Sequence, residues 1–317
     1  MSQSADPKDA LDKVTTGDLA PGGELPRETF DEFFQEVQDE SVVLDRVRTV
    51  PMGRSKQRIP KIGVGERLRR GQDENTGQGE SNVNTGFVDM DAEKGSIYWS
   101  LTRETVEENP ERDQLANTIM SLMAQQWSAD TEDLAFVGDE ADGDAFINQN
   151  DGWFEILETR GAPVYYQTDD GTPSTATGTP QPPDTEMFHD VIQTLDSKYL
   201  RDDPVFMMNI QQLQEYYNSL VGRNDGLGVA VLQGDTEVTP FNYDIVGSAL
   251  IPESRGIFTT PQNLIYGLRY QLRMEVLQES DEVFDNDLFA KYKIVGKDDF
   301  QVEDENAAVR IEDIAAV

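Results

Sequence analysis

Leu115, Ile119, Leu122, Met123 and Trp127, with Leu134 one heptad further on, form a single apolar stripe at helical spacing. Asn109 and Pro110 read as the N-cap and first helical position ahead of it, and Gly138 as the C-cap. The pattern predicts a spine helix over 109–138, roughly 40 Å long, of the kind that braces a sheet. Two shorter helices broken near Ser128–Asp130 would fit the same residues. Phe30, Phe33, Phe34 and Val37 repeat the spacing inside a polar stretch, 1–40, that reads as an arm carrying a short amphipathic helix. Its apolar face must dock on its own domain or on a neighbouring subunit.

Strand signals come next. Alternation over Ser41–Val50 predicts a strand, and Ile97, Trp99 and Leu101 predict another. Between them, Arg46 to Arg70 holds nine basic residues and one acidic residue, Glu66. A Gly/Asn-rich tip follows over 71–86, and Asp89, Asp91 and Glu93 mark the return. This is a long two-stranded arm. An isolated hairpin is marginal in water, so the arm must lie on something. With Arg54, Lys56, Arg58, Lys61, Arg67, Arg69 and Arg70 on it, another copy of the acidic chain is the natural partner. A nucleic-acid groove or plain solvent are the other readings.

Beyond the spine, Asp139–Asp151 is an acidic turn whose order fits no register of a calcium loop. Gly152–Arg160 predicts a short helix, and 169–183 a Thr/Pro/Gly loop. Helices over Thr185–Leu200 and Gln211–Gly222 alternate with buried strands at Val205–Ile210 and Leu227–Leu232, an α/β layer. From Leu264 to Val276 the period is two, which predicts one long antiparallel strand with one dry face under the spine helix. Leu288–Val295 repeats it with Lys291 and Lys293 outward, and Ala308–Ile311 forms a last short strand.

Charge changes the picture. The 317 residues carry 61 acidic and 26 basic side chains, a formal charge of -35, and arginine outnumbers lysine. Such self-repulsion is tolerable where molar salt shortens the Debye length to about 3 Å, so the composition points to a halophilic source. With 37% hydrophobic residues in periodic patterns, wholesale disorder is excluded. No cysteine is present, which removes thiolate and disulfide chemistry, and no apolar run approaches a membrane span. No signal peptide is legible, and general coating of nucleic acid is disfavoured by charge.

Catalytic signatures are missing: there is no Walker loop, GxGxxG, GxSxG or HExxH. The one histidine, His189, beside Phe188, reads as a partly buried structural residue. The abundance of carboxylates makes any chosen acid/base pair uninformative, and no catalytic or metal-ligating residue is assigned.

The order of elements, arm helix TFDEFFQEVQ, β-arm ending in SIYWSLTRETVEENP, spine PERDQLANTIMSLMAQQWSADTEDLAFVG and terminal strands DNDLFAKYKIVGKDDFQVEDENAAVRI, resembles the tailed-virus major capsid proteins of the Hong Kong 97 fold. The resemblance implies an α+β chain with an N-terminal arm (1–40) and an extended loop (53–99). It implies a peripheral domain (41–52, 100–138, 266–317) and an axial domain (139–265). It further implies a structural, non-enzymatic protein of the virion, made and assembled in the host cytoplasm. Pentamers and hexamers would build an icosahedral shell around packaged double-stranded DNA. Scaffolding, portal and decoration proteins are implied as partners, with no sequence-specific DNA contact and no membrane. No cofactor is implied beyond non-specific cations of a salty medium. With only about 27 residues ahead of the first helix, either a separate scaffolding protein or a sequence already processed is expected, the former preferred, and a non-covalent shell. The alternatives are an encapsulin-type compartment, which uses the same fold, and a halophilic enzyme with carboxylate chemistry.

Overall fold

The computed structural model describes residues 41–63, 84–104, 115–169, 178–221, 239–269, 273–277, 283 and 285–316. The arm helix residues Phe30, Phe33, Phe34 and Val37, the basic residues Arg67, Arg69 and Arg70, the start of the spine at 109–114 and the expected strand at 227–232 lie outside them.

The spine is α1 (Leu115–Val137), and it runs unbroken through 128–130, so the two-helix alternative is set aside. Its apolar side is not quite the expected stripe. Trp127, Leu134, Ala135 and Phe136 are buried, and Ile119 and Met123 pack at the edges of core clusters, but Leu122 is 53% exposed. The buried side instead runs through Ala124, Ser128, Thr131 and Glu132, polar residues that an apolar count passes over. Glu132 is buried because the hydroxyls of Ser41 and Ser248 both donate to its carboxylate.

The first sheet lies against α1. It contains β1 (Arg48–Met52), β4 (Glu93–Thr102), β9 (Leu264–Arg269), β10 (Arg273–Leu277) and β11 (Leu288–Val302). The 15-residue β11 is central: β4 pairs along one side, β10 and β9 end to end along the other, and β1 continues parallel beyond β9. Its inner face packs Ile97, Trp99, Leu101, Ala290, Tyr292 and Ile294 toward the helix, with Trp99 and Tyr292 stacked at 5.1 Å. A Cβ on Gly95 would lie 3.3 Å from the Trp127 ring, so glycine lets the indole sit on the sheet backbone.

Two strand expectations are corrected. Residues 42–46 form a turn, not a strand: the Ser41 hydroxyl accepts the Leu44 N–H at 2.9 Å, and Val43, Leu44 and Val47 are buried at helical spacing. The strand begins at Arg48. The long strand from Leu264 is two strands, and the pairing register against β11 shifts by two residues between Leu268↔Asp298 and Arg273↔Val295. Nor has β9 only one dry face, because Ile265 and Gly267 are as buried as their neighbours. The cover on that second face is the hairpin described below.

The second sheet contains β5 (Val164–Tyr166), β6 (Val205–Asn209), β7 (Ile245–Ser248), β8 (Gly256–Thr259) and β12 (Ala308–Glu312), in the order β5-β12-β8-β6-β7. The chain's last strand, grouped with the first sheet when read from sequence, is hydrogen-bonded here, parallel to β5 and antiparallel to β8. The sheet is buried on both faces. Phe206, Met208, Phe258, Val309 and Ile311 face a core with α3 (Thr185–Thr194) and α4 (Ile210–Val221). Val205, Met207, Ile257 and Ala308 face the core shared with α1 and α2 (Trp153–Thr159). Alternate side chains of each strand thus enter different cores, which reads in sequence as a continuous apolar run. Helix α3 ends at Thr194, short of the expected Leu200, where Leu195 turns extended.

Candidate assembly surface

The hairpin consists of β2 (Lys56–Gly63) and β3 (Asn84–Asp91), paired antiparallel from Lys56↔Asp91 to Gly63↔Asn84. One face is apolar: Ile59, Val88, Met90 and Ala92 pack with Met52 and Ile265 on the outer face of the first sheet. Gly267 is what admits it. A Cβ there would lie 2.2 Å from Cε of Met90 and 2.9 Å from Sδ of Met52. Both are ends of flexible side chains, so the fit is close but adjustable. The other hairpin face presents charge and an aromatic ring. Lys56 pairs with Asp91 at 2.5 Å, Arg58 grips both oxygens of Asp89 at 2.5 and 3.0 Å, and the Arg58 guanidinium lies 5.2 Å over the 61%-exposed Phe87 ring. The hydrogen bonds raise the Lys56 and Arg58 pKa values and lower that of Asp89.

These pairs qualify the expectation that the arm's basic residues meet acids of a neighbour. Three of the seven singled out have partners in their own chain: Lys56, Arg58, and Lys61, whose ammonium donates to the Glu303 carbonyl and lies 3.8 Å from Asp304. The acids Asp89 and Asp91 on the return strand, seen in sequence, are the partners of Arg58 and Lys56. Arg54 is exposed in the turn between β1 and β2.

At its root the hairpin is anchored by groups that sequence reading missed. The Ala92 N–H donates to the Ser55 carbonyl at 2.7 Å, and the Ser55 hydroxyl accepts from Arg269 at 2.6 Å and Lys297 at 3.2 Å. Asp299 Oδ2 accepts the Asp91 N–H at 2.8 Å, and Asp298 next to it receives the Asn150 amide at 3.2 and 3.4 Å. Burial pushes the Asp298 carboxyl up to about 7, helped by the Asp299 charge. Burial likewise pushes Asp299 up to about 6 against the pull of backbone N–H donors. The available signal was two consecutive acids in an alternating strand, one of which must fall on the face that carries Ala290, Tyr292 and Ile294.

Each of these carboxyls keeps its proton in the folded chain at pH values where an unfolded aspartate, near 3.9, has lost it. Their contribution to stability is therefore full below about pH 4 and is lost as pH rises through about 7. Asp298→Asn, which imitates the protonated form, is expected to raise the melting temperature at pH 8, with the gain shrinking toward pH 5. An equal effect at both pH values would show that the carboxyl is not titrating in the fold.

Among the described residues no group of three or more metal-ligating side chains converges. The acidic turn is used structurally: Asp139, Asp142, Asp144 and Asp151 accept backbone N–H groups of Ala141, Asp144, Phe146 and Glu140. His189 is exposed, not partly buried as expected, with Nδ1 2.8 Å from Asp190 and its ring against Phe241. No described helix is long and apolar enough to cross a membrane.

A spine helix under one sheet, a long hairpin on that sheet's back and a second, doubly covered sheet make up the fold of phage capsid proteins of the Hong Kong 97 type. The chain superposes on a protein of the satellite phage P4 procapsid that includes the size determination (Sid) protein. The TM-score is 0.71 at 16% identity, over 98% of this chain and 96% of that one. Gordonia phage Cozz matches with a TM-score of 0.59 at 14% identity over 87% of each chain, and a virus-like particle from Pyrococcus furiosus with 0.53 at 11% over 88% and 96%. In sequence the chain is 27% identical over 324 residues to the putative prophage capsid protein YqbE of Bacillus subtilis, spanning 94% of this chain and 95% of that protein. No protein-family model matches.

Proposed function

We infer that the chain is a major capsid subunit, a structural protein that assembles with copies of itself into a closed shell. The observation that carries this is the hairpin. Its apolar face and Lys61 rest on its own chain, while the two strands stay paired out to Gly63 and Asn84 at the end of the described ribbon. A two-stranded ribbon of this kind is marginal without a surface beneath it, and a neighbouring copy supplies one. The full-length similarity to a prophage capsid protein supports the same reading. In that reading the subunits form pentamers and hexamers around packaged double-stranded DNA, with scaffolding and portal proteins as partners, and the protein resides in the virion.

Shortening the hairpin tests this. Pro60 and Phe87 lie opposite each other, so residues 61–86 can be replaced by an Asn-Gly turn without disturbing Ile59, Val88 or Met90. The shortened protein is expected to keep its secondary structure by circular dichroism and to remain as small species in sedimentation. Normal shells from the shortened chain would contradict the reading.

The charge of -35 supports a salt-adapted source, a virus of halophilic archaea, and that reading rests on composition alone. Exposed like charges repel less as the Debye length falls from about 10 Å at 0.1 M to about 3 Å at 1 M. Thermal stability is therefore expected to rise steadily between these salt concentrations. A flat or falling curve would remove the halophilic reading.

A further inference from the structure

Gly95 on β4 and Gly296 on β11 lie directly opposite each other, on the sheet face that carries Ile97 and Ile294. Two side chains are thus missing at one point beneath α1, and a half-open cavity of about 100 Å³ lies beside them. Trp127, Asp130, Thr131 and Leu134 line it from α1, Phe146 and Gln149 from the turn that follows the acidic residues, and Asp298 from β11. Its polar side chains accept rather than donate. The Gln149 amide N–H is engaged by the Phe146 carbonyl at 2.9 Å, which leaves Oε1 facing Gly95, 3.5 Å from where a Cβ would stand. The Thr131 hydroxyl donates to the Trp127 carbonyl at 2.7 Å, and Asp130 accepts from Gln126 at 2.6 Å. Asp298 is 6% exposed, and the side-chain oxygen of Asn150, whose nitrogen donates to it, is buried without a partner. Among the described residues no lysine or arginine offsets Asp298, and the Asp299 charge beside it repels it.

We propose that this cavity binds a primary alkylammonium ion, its head on Asp298 and its carbon chain along Trp127 and Phe146. The site stands independently of the shell reading. An ammonium brings three N–H donors to a lining of acceptors, and the two rings offer a cation further attraction. The volume equals about three water molecules' share of liquid, enough for an ammonium head and a short alkyl tail. A bare calcium ion fits less well: it takes about six to eight oxygens, and Trp127, Leu134 and Phe146 occupy much of this lining. A free diamine and a lysine side chain of another copy both present the proposed head group, and assembly separates the two below. Burial pushes the Asp298 carboxyl up to about 7, so at pH 6 the bound cation must displace its proton. The titratable groups on the elements around it are Asp299, Glu93 opposite on β4, Asp130 on α1, Asp151 beside Asn150, and the Tyr266 hydroxyl on β9. Lys94 and Lys297 of the same strands alternate onto the other sheet face. An alkylammonium stays charged from pH 6 to pH 8, so affinity rises over that range with the ionised fraction of Asp298, about tenfold.

Isothermal titration calorimetry of the full-length protein with 1,4-diaminobutane in molar potassium chloride tests this. Salt at that level screens exposed carboxylates and reaches a buried one far less. One saturable site per chain is expected, tightening about tenfold from pH 6 to pH 8 and releasing close to one proton per amine at pH 6. That pH comparison needs no substitution. Asp298→Asn is expected to keep its circular dichroism and to lose at least about tenfold in affinity at pH 8, whereas Glu186→Gln, at an exposed acid of α3, leaves binding unchanged. A site open in free subunits but closed in sedimented assemblies assigns the head group to a lysine of another copy, and a site open in both assigns it to a free amine; either supports the proposal. Absence of a saturable site, or binding that Asp298→Asn leaves intact, means an adventitious counterion of an acidic surface only and overturns it. Binding present in sodium chloride but abolished by equal potassium chloride assigns the cavity to a metal ion and also overturns it.

Discussion

Gly138→Ala is expected to destabilise the fold by about 3 kcal/mol or more, the upper range for overpacking a filled site. The spine helix ends at this glycine, where the chain of 150–152 crosses it at backbone distance. The Gly152 N–H donates to the Gly138 carbonyl at 2.8 Å, and the Gly138 N–H closes the last helical turn onto the Leu134 carbonyl at 2.9 Å. A Cβ on Gly138 would lie 2.2 Å from the Asn150 carbonyl, 2.7 Å from that of Leu134 and 2.9 Å from the Gly152 nitrogen. Every one of these is a main-chain atom, so no side chain can swing away to relieve the clash. Gly143, in the exposed acidic turn, has nothing within 4 Å of its Cβ position, so Gly143→Ala is the matched control and should change stability little. Urea unfolding of both variants measures the difference. Equal, small effects would mean that the two segments do not cross here.

The second large effect belongs to an ion network that is buried at Arg310 and Glu312 and open to solvent at Glu158 and Arg255. Arg310 on β12 is 8% exposed and lies 3.0 Å from both Glu158 of α2 and Glu312, and Arg255 approaches Glu312 at 2.8 Å and Glu158 at 3.5 Å. Burial already raises the Glu312 pKa against the pull of Arg255 and Arg310. Removing Arg310 leaves a buried carboxylate with half its compensation, and breaking such a network by one partner typically costs about 3–5 kcal/mol. Arg310→Ala is expected to fall in that range near neutral pH, and Arg310→Ala with Glu312→Ala to cost clearly less than the sum of the two single changes. Additive effects would show that the two groups do not share their burial.

The spine illustrates what is readable before structure and what is not. Its helical character and its end at Gly138 follow from spacing and from a residue type, whereas its continuity through 128–130 did not, because the same spacing also fitted two shorter helices. The reason for the glycine does not: it is the close crossing by Gly152, a contact between residues that nothing local marks. Leu122 was placed in the stripe by the same periodicity that buried Trp127, yet the helix turns its polar Ser128, Thr131 and Glu132 inward because Ser41 and Ser248 are there to satisfy Glu132. Apolar spacing carries no information about such long-range polar pairing.

The hairpin was legible as an arm, because charge, glycine and alternation mark it. Its cross-strand partners were also written in the return strand as Asp89 and Asp91. What escaped was its seat: the burial of Ile265 and Gly267, the bare glycine under Met90 and Met52, and the Asp298–Asp299 root. The alternation from Leu264 onward suggested one wet face because Gly267 and Arg269 look solvent-facing in isolation. Only the tertiary fold supplies the cover. Likewise Gly95 and Gly296 lie about 200 residues apart in sequence, and it is the pairing of β4 with β11 that sets them side by side.

The most direct test of the capsid account is a cryo-electron microscopy reconstruction of the purified full-length protein assembled in molar salt. The account predicts closed particles whose capsomers contain five and six copies, each in contact with the adjacent copy through the outer end of its hairpin. A protein that sediments as a strict monomer across salt and concentration, with no particle or ring on the grid, would contradict it.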